Sequence, residues 1–65
     1  MDSIAIGHRL TSLRGKKPRS EVAKAIDVSV SAIGNYEQGI RIPKDDIKKK
    51  LADYYKVSVG SIFFD

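Results

Sequence analysis

The side chains best suited to bind another molecule in this sequence are short polar groups with basic groups on either side. Ser31 and Asn35 are four residues apart, a spacing that places both on one face of a helix. A serine hydroxyl can donate or accept a hydrogen bond, and an asparagine carboxamide can pair with adenine through two hydrogen bonds. The cations of Arg19, Arg41 and Lys44 precede and follow them in the chain, and such cations bind phosphates. Groups of these types are compatible with binding to nucleic acid, and the helices that carry them must show whether they can act together.

Patterns typical of catalysis and metal binding are missing from the sequence. His8 is the sole histidine, and there is no cysteine. The sequence has no Ser/His/Asp set for nucleophilic catalysis, no glycine-rich phosphate loop and no spacing of metal ligands. We therefore expect neither an enzyme nor a protein that needs a cofactor or a metal ion.

The composition is typical of a small, folded and basic protein. Its 65 residues include 12 Lys and Arg against 8 Asp and Glu, which gives a net charge of +4, and 42% of the residues are hydrophobic. This charge fits an anionic partner, although solubility alone also explains it. The sequence has neither an apolar run long enough to cross a membrane nor the pattern of a signal peptide. We expect one domain over residues 1–65, no membrane partner and a cytoplasmic location.

Apolar residues recur at helical spacing along the chain, and no stretch alternates long enough for a strand. Ile6, Leu10 and Leu13, for example, form the expected buried stripe of the first helix. Residues suited to cap helices stand at the expected helix ends, at Ser3, Gly15, Ser29 and Ser58. The sequence therefore predicts a compact all-α fold of five helices, at about residues 4–14, 19–26, 30–38, 44–55 and 59–63, with Pro18 or Arg19 as the start of the second.

The joint between the second and third predicted helices meets the requirements of a helix-turn-helix over about residues 19–38. Ala23 is small enough for a close helix crossing. Asp27 can adopt the left-handed conformation that a tight turn needs, although glycine would do so more easily. Val28 can be buried within the turn, and Ile33 faces the core from the third helix.

The ordered set of residues resembles the phage repressor/Cro family of helix-turn-helix domains, also called XRE-like. Matching segments cover nearly the whole chain, at residues 6–10, 13–14, 21–23, 28–33, 36–39, 43, 55–59 and 62–64. The chain also departs from the family pattern. Arg19 stands where the family usually has glutamine, Asp27 replaces the usual turn glycine, and the segment between Arg14 and Arg19 is shorter than usual.

The resemblance implies that the third helix, about residues 30–38, enters the major groove of double-stranded DNA. It implies base contacts by the residues near the start of this helix, Val30, Ser31, Ala32 and Asn35. It implies phosphate contacts by residues around the helix, Arg19, Ser29, Arg41, Lys44 and Lys17. Plainer interpretations stay open: Val30 as a packing residue, Asn35 as a solvated side chain and Lys17 as a solvated loop charge. The resemblance also implies a weak homodimer, which DNA can complete.

Three further predictions concern residues around this motif. The family commonly pairs an arginine of the first helix with a glutamate of the third, so we expect an ion pair between Arg14 and Glu37. The lysines at 48–50 are expected to form a solvated helix face rather than a second DNA-binding patch. Of Phe63 and Phe64, we expect one to be buried and the other to lie at an interface.

The function implied is sequence-specific binding of double-stranded DNA by a transcriptional regulator, a repressor or a Cro-like protein of bacterial or phage origin. The alternative is a protein-binding helix-turn-helix module that acts on a repressor or a polymerase. The small or polar residues at 30–32 and 35 favour DNA, because a protein-binding face would have larger apolar residues. Binding to a membrane surface is a weaker alternative, since the fourth helix lacks a broad apolar face.

Overall fold

The computed structural model describes residues 2–64, which contain five α-helices and no strand. The helices are α1 (Ser3–Arg14), α2 (Arg19–Ile26), α3 (Val30–Glu37), α4 (Asp45–Tyr55) and α5 (Val59–Phe63). The prediction of an all-α fold with five helices is confirmed. No helix in this range is both long enough and apolar enough to cross a bilayer.

All five helices contribute to one hydrophobic core, which holds them together. Helices of 5 to 12 residues are too short to be stable alone in water, so packing must supply their stability. Each large apolar side chain that is fully buried contributes about 1.5–3 kcal/mol. The hydrophobic residues of this core are Ile6, Leu10, Val22, Ala23, Ile26, Ile33, Tyr36, Leu51, Ala52, Ile62 and Phe63.

The sequence prediction for α1 is wrong at its first cap and in its last turn. Asp2, rather than Ser3, is the N-cap, since its carboxylate accepts hydrogen bonds from two backbone N–H groups of the first turn. Leu13 is 36% exposed instead of buried. The position that continues the buried stripe beyond Leu10 is Arg14, which turns toward α3.

The joint between α2 and α3 depends on three consecutive residues. Asp27 ends α2 in the left-handed conformation with φ 60°, as the sequence predicts. The N–H of Val28 then donates to the carbonyl of Ala23 at 3.0 Å, which closes the turn. Ser29 caps α3 through its Oγ, which accepts a hydrogen bond from the first turn of that helix. Residues 56–58 repeat this geometry between α4 and α5.

The lysine run on α4 does not form a uniformly solvated face. Lys48 is only 7% exposed, and its Nζ lies 3.4 Å from Oδ1 of Asp45. The same Nζ lies 5.7 Å and 5.3 Å from the ring centroids of Phe63 and Phe64. The prediction is therefore wrong for Lys48, because its stem packs on α5 while the two lysines that follow it remain exposed. Phe63 is buried, whereas Phe64 is 63% exposed.

Three helix boundaries differ from those expected by one residue, the first being the start of α1 at Ser3. α3 ends at Glu37 rather than at residue 38, and α4 begins at Asp45 with Lys44 as its N-cap. Asp45 and Asp46 stand in the first turn of α4, where the positive end of the helix dipole favours acidic groups.

Candidate nucleic-acid interface

The exposed side of α3 contains a row of polar side chains. Ser31, Asn35 and Gln38 follow the i, i+4, i+7 spacing of one helix face; Ser31 and Gln38 are exposed and Asn35 is half-buried. Val30 stands beside this row at the start of the helix and is exposed as well. The sequence analysis did not single out Gln38, although its spacing from Ser31 could have identified it.

Two residues of α3 depart from this row. Ala32 is partly buried and packs against the core, so its methyl group is directed away from the polar row. Gly34 is buried even though it lacks a side chain. The guanidinium of Arg19 covers it, because a Cβ placed on Gly34 would lie 3.4 Å from Nη1 of that arginine. A side chain of α2 thus fills the space beside α3 at position 34.

Glu37, at the last position of α3, binds two arginines. Its side chain is only 2% exposed. Arg14 donates from Nε to Oε2 at 2.7 Å and from Nη2 to Oε1 at 3.0 Å. Arg19 donates from Nε to Oε1 at 2.9 Å. The structure thus brings Arg14 and Glu37 together, and it adds Arg19, which the sequence analysis did not place in this cluster.

The two arginines differ in how many of their nitrogens are used. Arg14 also donates from Nη1 to the carbonyl of Lys17 at 2.8 Å, and its side chain is 17% exposed. The hydrogen bond to Glu37 raises the pKa of Arg14, so this guanidinium stays charged. Arg19 is 37% exposed, and within residues 2–64 only its Nε forms a hydrogen bond. The terminal nitrogens of Arg19 can therefore bind a group outside the protein.

Further cations follow the C-terminal end of α3. The carbonyl of Asn35 accepts hydrogen bonds from the N–H groups of Ile40 and Arg41, at 3.0 and 3.3 Å, which hold the connector against the helix. Gly39 allows this turn with φ 75°, a conformation that other residues rarely adopt. The side chains of Arg41 and Lys44 are exposed. The connector thus places two cations just beyond α3.

The remaining candidates for phosphate contacts, Ser29 and Lys17, have partners within the protein. The Oγ of Ser29 accepts a hydrogen bond from the N–H of Ala32 at 3.0 Å, which leaves its hydroxyl hydrogen able to donate. The ammonium of Lys17 lies 5.1 Å from the ring centroid of Tyr54, so this lysine is directed toward α4. A phosphate contact by Lys17 would require its side chain to leave that ring.

Other surfaces offer less to a bound ligand. In the described part of the chain, no three His, Cys, Asp or Glu side chains come together as metal ligands would. A shallow depression between α2 and α4 opens widely to solvent, and its lining is Ala25, Ile26, Asp27, Lys50, Asp53 and Tyr54. The exposed side of α3 is therefore the surface where polar and basic groups are arranged around one rigid element.

Tyr55 packs near the carboxylate of Glu37, and we expect its ionisation to lower the stability of the fold at alkaline pH. Burial, followed by the charge of Glu37, raises the pKa of Tyr55 to about 12. A tyrosine with a raised pKa in the folded state stabilises the fold below its unfolded pKa of about 10. We expect this contribution, about 1 kcal/mol for a partly solvated ring, to be lost as the pH rises from about 10 to 12.

Chemical denaturation of the wild type and of Tyr55→Phe at pH 9, 11 and 12 measures this effect. The wild type should lose more stability over this range than the variant, which cannot ionise at position 55. Equal losses would mean that the ionisation of Tyr55 is not coupled to folding.

Comparison with known proteins adds one finding to this geometry. A family model described as helix-turn-helix matches residues 13–62, which is most of the chain. The match begins near the end of α1 and ends within α5. No curated protein and no solved structure is similar enough to match the chain.

Proposed function

Because the chain belongs to the XRE-type helix-turn-helix family of DNA-binding transcription regulators, found in phage repressors and Cro proteins, we propose that it reads an operator through the major groove with α3. The observation that supports this proposal is the polar row on the outer side of α3, which is followed by the exposed cations Arg41 and Lys44. In helix-turn-helix proteins the second helix of the motif contacts base edges from its N-terminal part.

Sequence selectivity is assigned to the polar row. Asn35 is the main specifying residue, since its carboxamide can pair with the N6 and N7 positions of adenine. Ser31 donates to or accepts from a neighbouring base, and Val30 contacts a thymine methyl group. Ala32 contributes at most to the fit of the helix in the groove, because it packs partly on the core.

Affinity is assigned to contacts with the phosphates, which position the protein without reading the sequence. Arg41 and Lys44 contact the backbone beyond the C-terminal end of α3, and the hydroxyl of Ser29 contacts it at the N-terminal end. Lys17 adds a weaker contact after its ammonium leaves Tyr54. Each cation that neutralises a phosphate makes the affinity fall more steeply with salt: the slope of log affinity against log salt becomes more negative by about 0.9.

We propose that two copies act together on one operator. A two-fold dimer would place its recognition helices in successive major grooves about 34–36 Å apart. The exposed ring of Phe64 at the end of α5 is the proposed dimer contact. Occupancy of an operator would block or aid the polymerase by position, which is the regulation expected of a repressor or a Cro-like protein.

A protein-binding module is the second candidate function, and one observation favours it. Ile40 is 69% exposed, and Ile42 is exposed as well, in the connector that follows α3. Such apolar side chains suit a protein partner. They stand beside Arg41, however, and the polar row of α3 offers few apolar contacts, so DNA remains the better fit.

The proposal is tested by selecting bound duplexes from a random pool and then measuring affinities by fluorescence anisotropy at several salt concentrations. The selected duplex should contain an inverted repeat and bind more tightly than a scrambled duplex. In Asn35→Ala, discrimination at one base pair should fall by about 10- to 100-fold. Arg41→Ala should weaken binding to every duplex equally and reduce the salt slope by about 1.

Lys49→Ala is the control, because it removes one exposed cation from α4 at a site that has no assigned contact with DNA. It should leave both the discrimination and the order of preferred sequences unchanged. If the wild type binds no duplex better than the scrambled one, the regulator proposal is wrong and a protein partner should be sought.

A further inference from the structure

We propose that Arg19 reads a guanine in the major groove, held in place by Glu37 and given room by Gly34. This inference rests on the proposed function and deepens it, since it assigns a base contact to a residue of α2. It also replaces the phosphate contact that the family resemblance implies for position 19.

Glu37 holds the guanidinium of Arg19 in a fixed position. Its carboxylate accepts a hydrogen bond from Nε of Arg19 at 2.9 Å. The carboxylate is itself fixed by the two hydrogen bonds that it receives from Arg14. The terminal nitrogens of Arg19 remain as a planar pair of donors that can bind the O6 and N7 atoms of guanine.

The guanidinium of Arg19 lies beside Gly34 of α3. A Cβ on Gly34 would lie 3.4 Å from Nη1 and 3.9 Å from the central carbon of the Arg19 guanidinium. Gly34 is in the second turn of α3, between the positions of Val30 and Glu37. The guanidinium therefore lies where a side chain of the recognition helix itself would lie.

The start of α3 has few side chains that can form hydrogen bonds with a base. Val30 has no polar side-chain atom, and Gly34 has no side chain. Ser31 and Asn35 are the two hydrogen-bonding side chains that remain among the outward positions of the first two turns. An arginine placed over Gly34 supplies a third group that can discriminate between bases.

A contact with phosphate alone would not need this arrangement. Arg41 and Lys44 are exposed cations on a connector, and a phosphate attracts them from any direction. Arg19, in contrast, has its Nε fixed by a carboxylate that is 2% exposed. Such fixing limits the directions in which the terminal nitrogens can donate, which suits a base edge. Glu37 is thus a positioning residue, which acts on DNA through Arg19.

The test compares the wild type, Arg19→Lys and Lys24→Ala by selection from random duplexes, followed by affinity measurements on all four bases at each position. The wild type should prefer guanine at one position of each half-site. Arg19→Lys keeps the charge but loses the planar pair of donors, so this guanine preference should fall by about 10- to 100-fold. Preferences at the other positions should be retained.

Lys24→Ala is the control, because it removes an exposed cation from the same helix, α2, at a position that has no assigned contact with DNA. It should keep the guanine preference. Thermal melting of both variants verifies that they fold. A loss of guanine preference in folded Arg19→Lys supports the proposal.

Two outcomes would overturn the proposal, and they differ in meaning. If the wild type selects a sequence but Arg19→Lys retains every base preference, Arg19 is at most a phosphate contact and only this inference is wrong. If the wild type selects no sequence, operator reading itself is wrong, and the inference about Arg19 is overturned along with it.

Discussion

Glu37→Ala is expected to lower the free energy of unfolding by about 2–4 kcal/mol, because it removes a buried carboxylate and leaves two guanidinium groups without their partner. Removal of one partner from a fully buried ion pair costs about 3–5 kcal/mol. The side chains of Arg14 and Arg19 are 17% and 37% exposed, so water can partly replace the carboxylate. The lower end of our range reflects this solvation.

A loss of this size is large for a chain of 65 residues, whose total stability is expected to be about 3–10 kcal/mol. Because each kcal/mol shifts the melting temperature of so small a domain by about 4–8 °C, the melting temperature should fall by about 10–30 °C. Thermal melting followed by circular dichroism measures the effect directly.

Glu21→Ala is the matched control for this substitution. Glu21 is exposed, and its carboxylate has one weak contact, at 3.5 Å, with the hydroxyl of Tyr54. Its replacement should change the stability by no more than about 0.5 kcal/mol. If Glu37→Ala melted within a few degrees of the wild type, the ion-pair cluster would not be what ties α3 to α1 and α2.

Sequence patterns predict the joints of this fold well, because those joints depend on neighbouring residues. Asp27 tolerates a left-handed backbone, and Ser29 caps the helix that begins next to it. These preferences act over a few residues, so they are readable without the fold. Residues 56–58 have the same geometry, and Val57 and Ser58 repeat the order of the first joint, although a lysine, Lys56, stands at the left-handed position.

Contacts between distant parts of the chain could not be predicted in the same way. The pair of Arg14 and Glu37 was expected only from the family resemblance. The second arginine, Arg19, reaches this cluster from α2 with its side chain beside Gly34 of α3. Lys48 is buried, and its ammonium lies over the rings of Phe63 and Phe64. The contact of Arg19 with Glu37 and the burial of Lys48 both depend on how closely the helices pack, which no local sequence pattern specifies.

The candidate site, too, can be predicted from local sequence patterns only in part. The periodicity of a helix is enough to place Ser31 and Asn35 on one face, and it also extends that face to Gln38. It cannot show that Ala32 packs on the core or that the side chain of Arg19 lies over Gly34. The residues that shape the surface of α3 therefore include one from another helix.

The packing of α1 on α3 gives rise to the second large expected effect, at Gly7. A Cβ on this residue would overlap the carbonyl oxygen of Glu37 and lie 2.8 Å from its carbonyl carbon and 3.1 Å from the carbonyl oxygen of Tyr36. All three atoms belong to the backbone of α3, so no side-chain rotation can relieve the overlap. A methyl group at position 7 would force the two helices apart.

Gly7→Ala is therefore expected to lower the free energy of unfolding by about 2–3 kcal/mol. Alanine is favoured over glycine within a helix by about 1 kcal/mol, so this net loss requires a larger packing penalty. Chemical denaturation measures the change. DNA affinity should fall as well, since α3 can no longer hold its position against α1.

Gly60→Ala separates the packing effect from the general effect of adding a methyl group to a helical glycine. Gly60 lies within α5, and a Cβ there would meet no atom within 4 Å among the described residues. This variant should be unchanged or more stable by up to about 1 kcal/mol. The opposite signs expected at these two helical glycines are decisive, because helix propensity alone would stabilise both. If Gly7→Ala were also stabilising, α1 would not pack on the backbone of α3 as closely as the structure has it, and the position of the recognition helix would have to depend on Glu37 and the core alone.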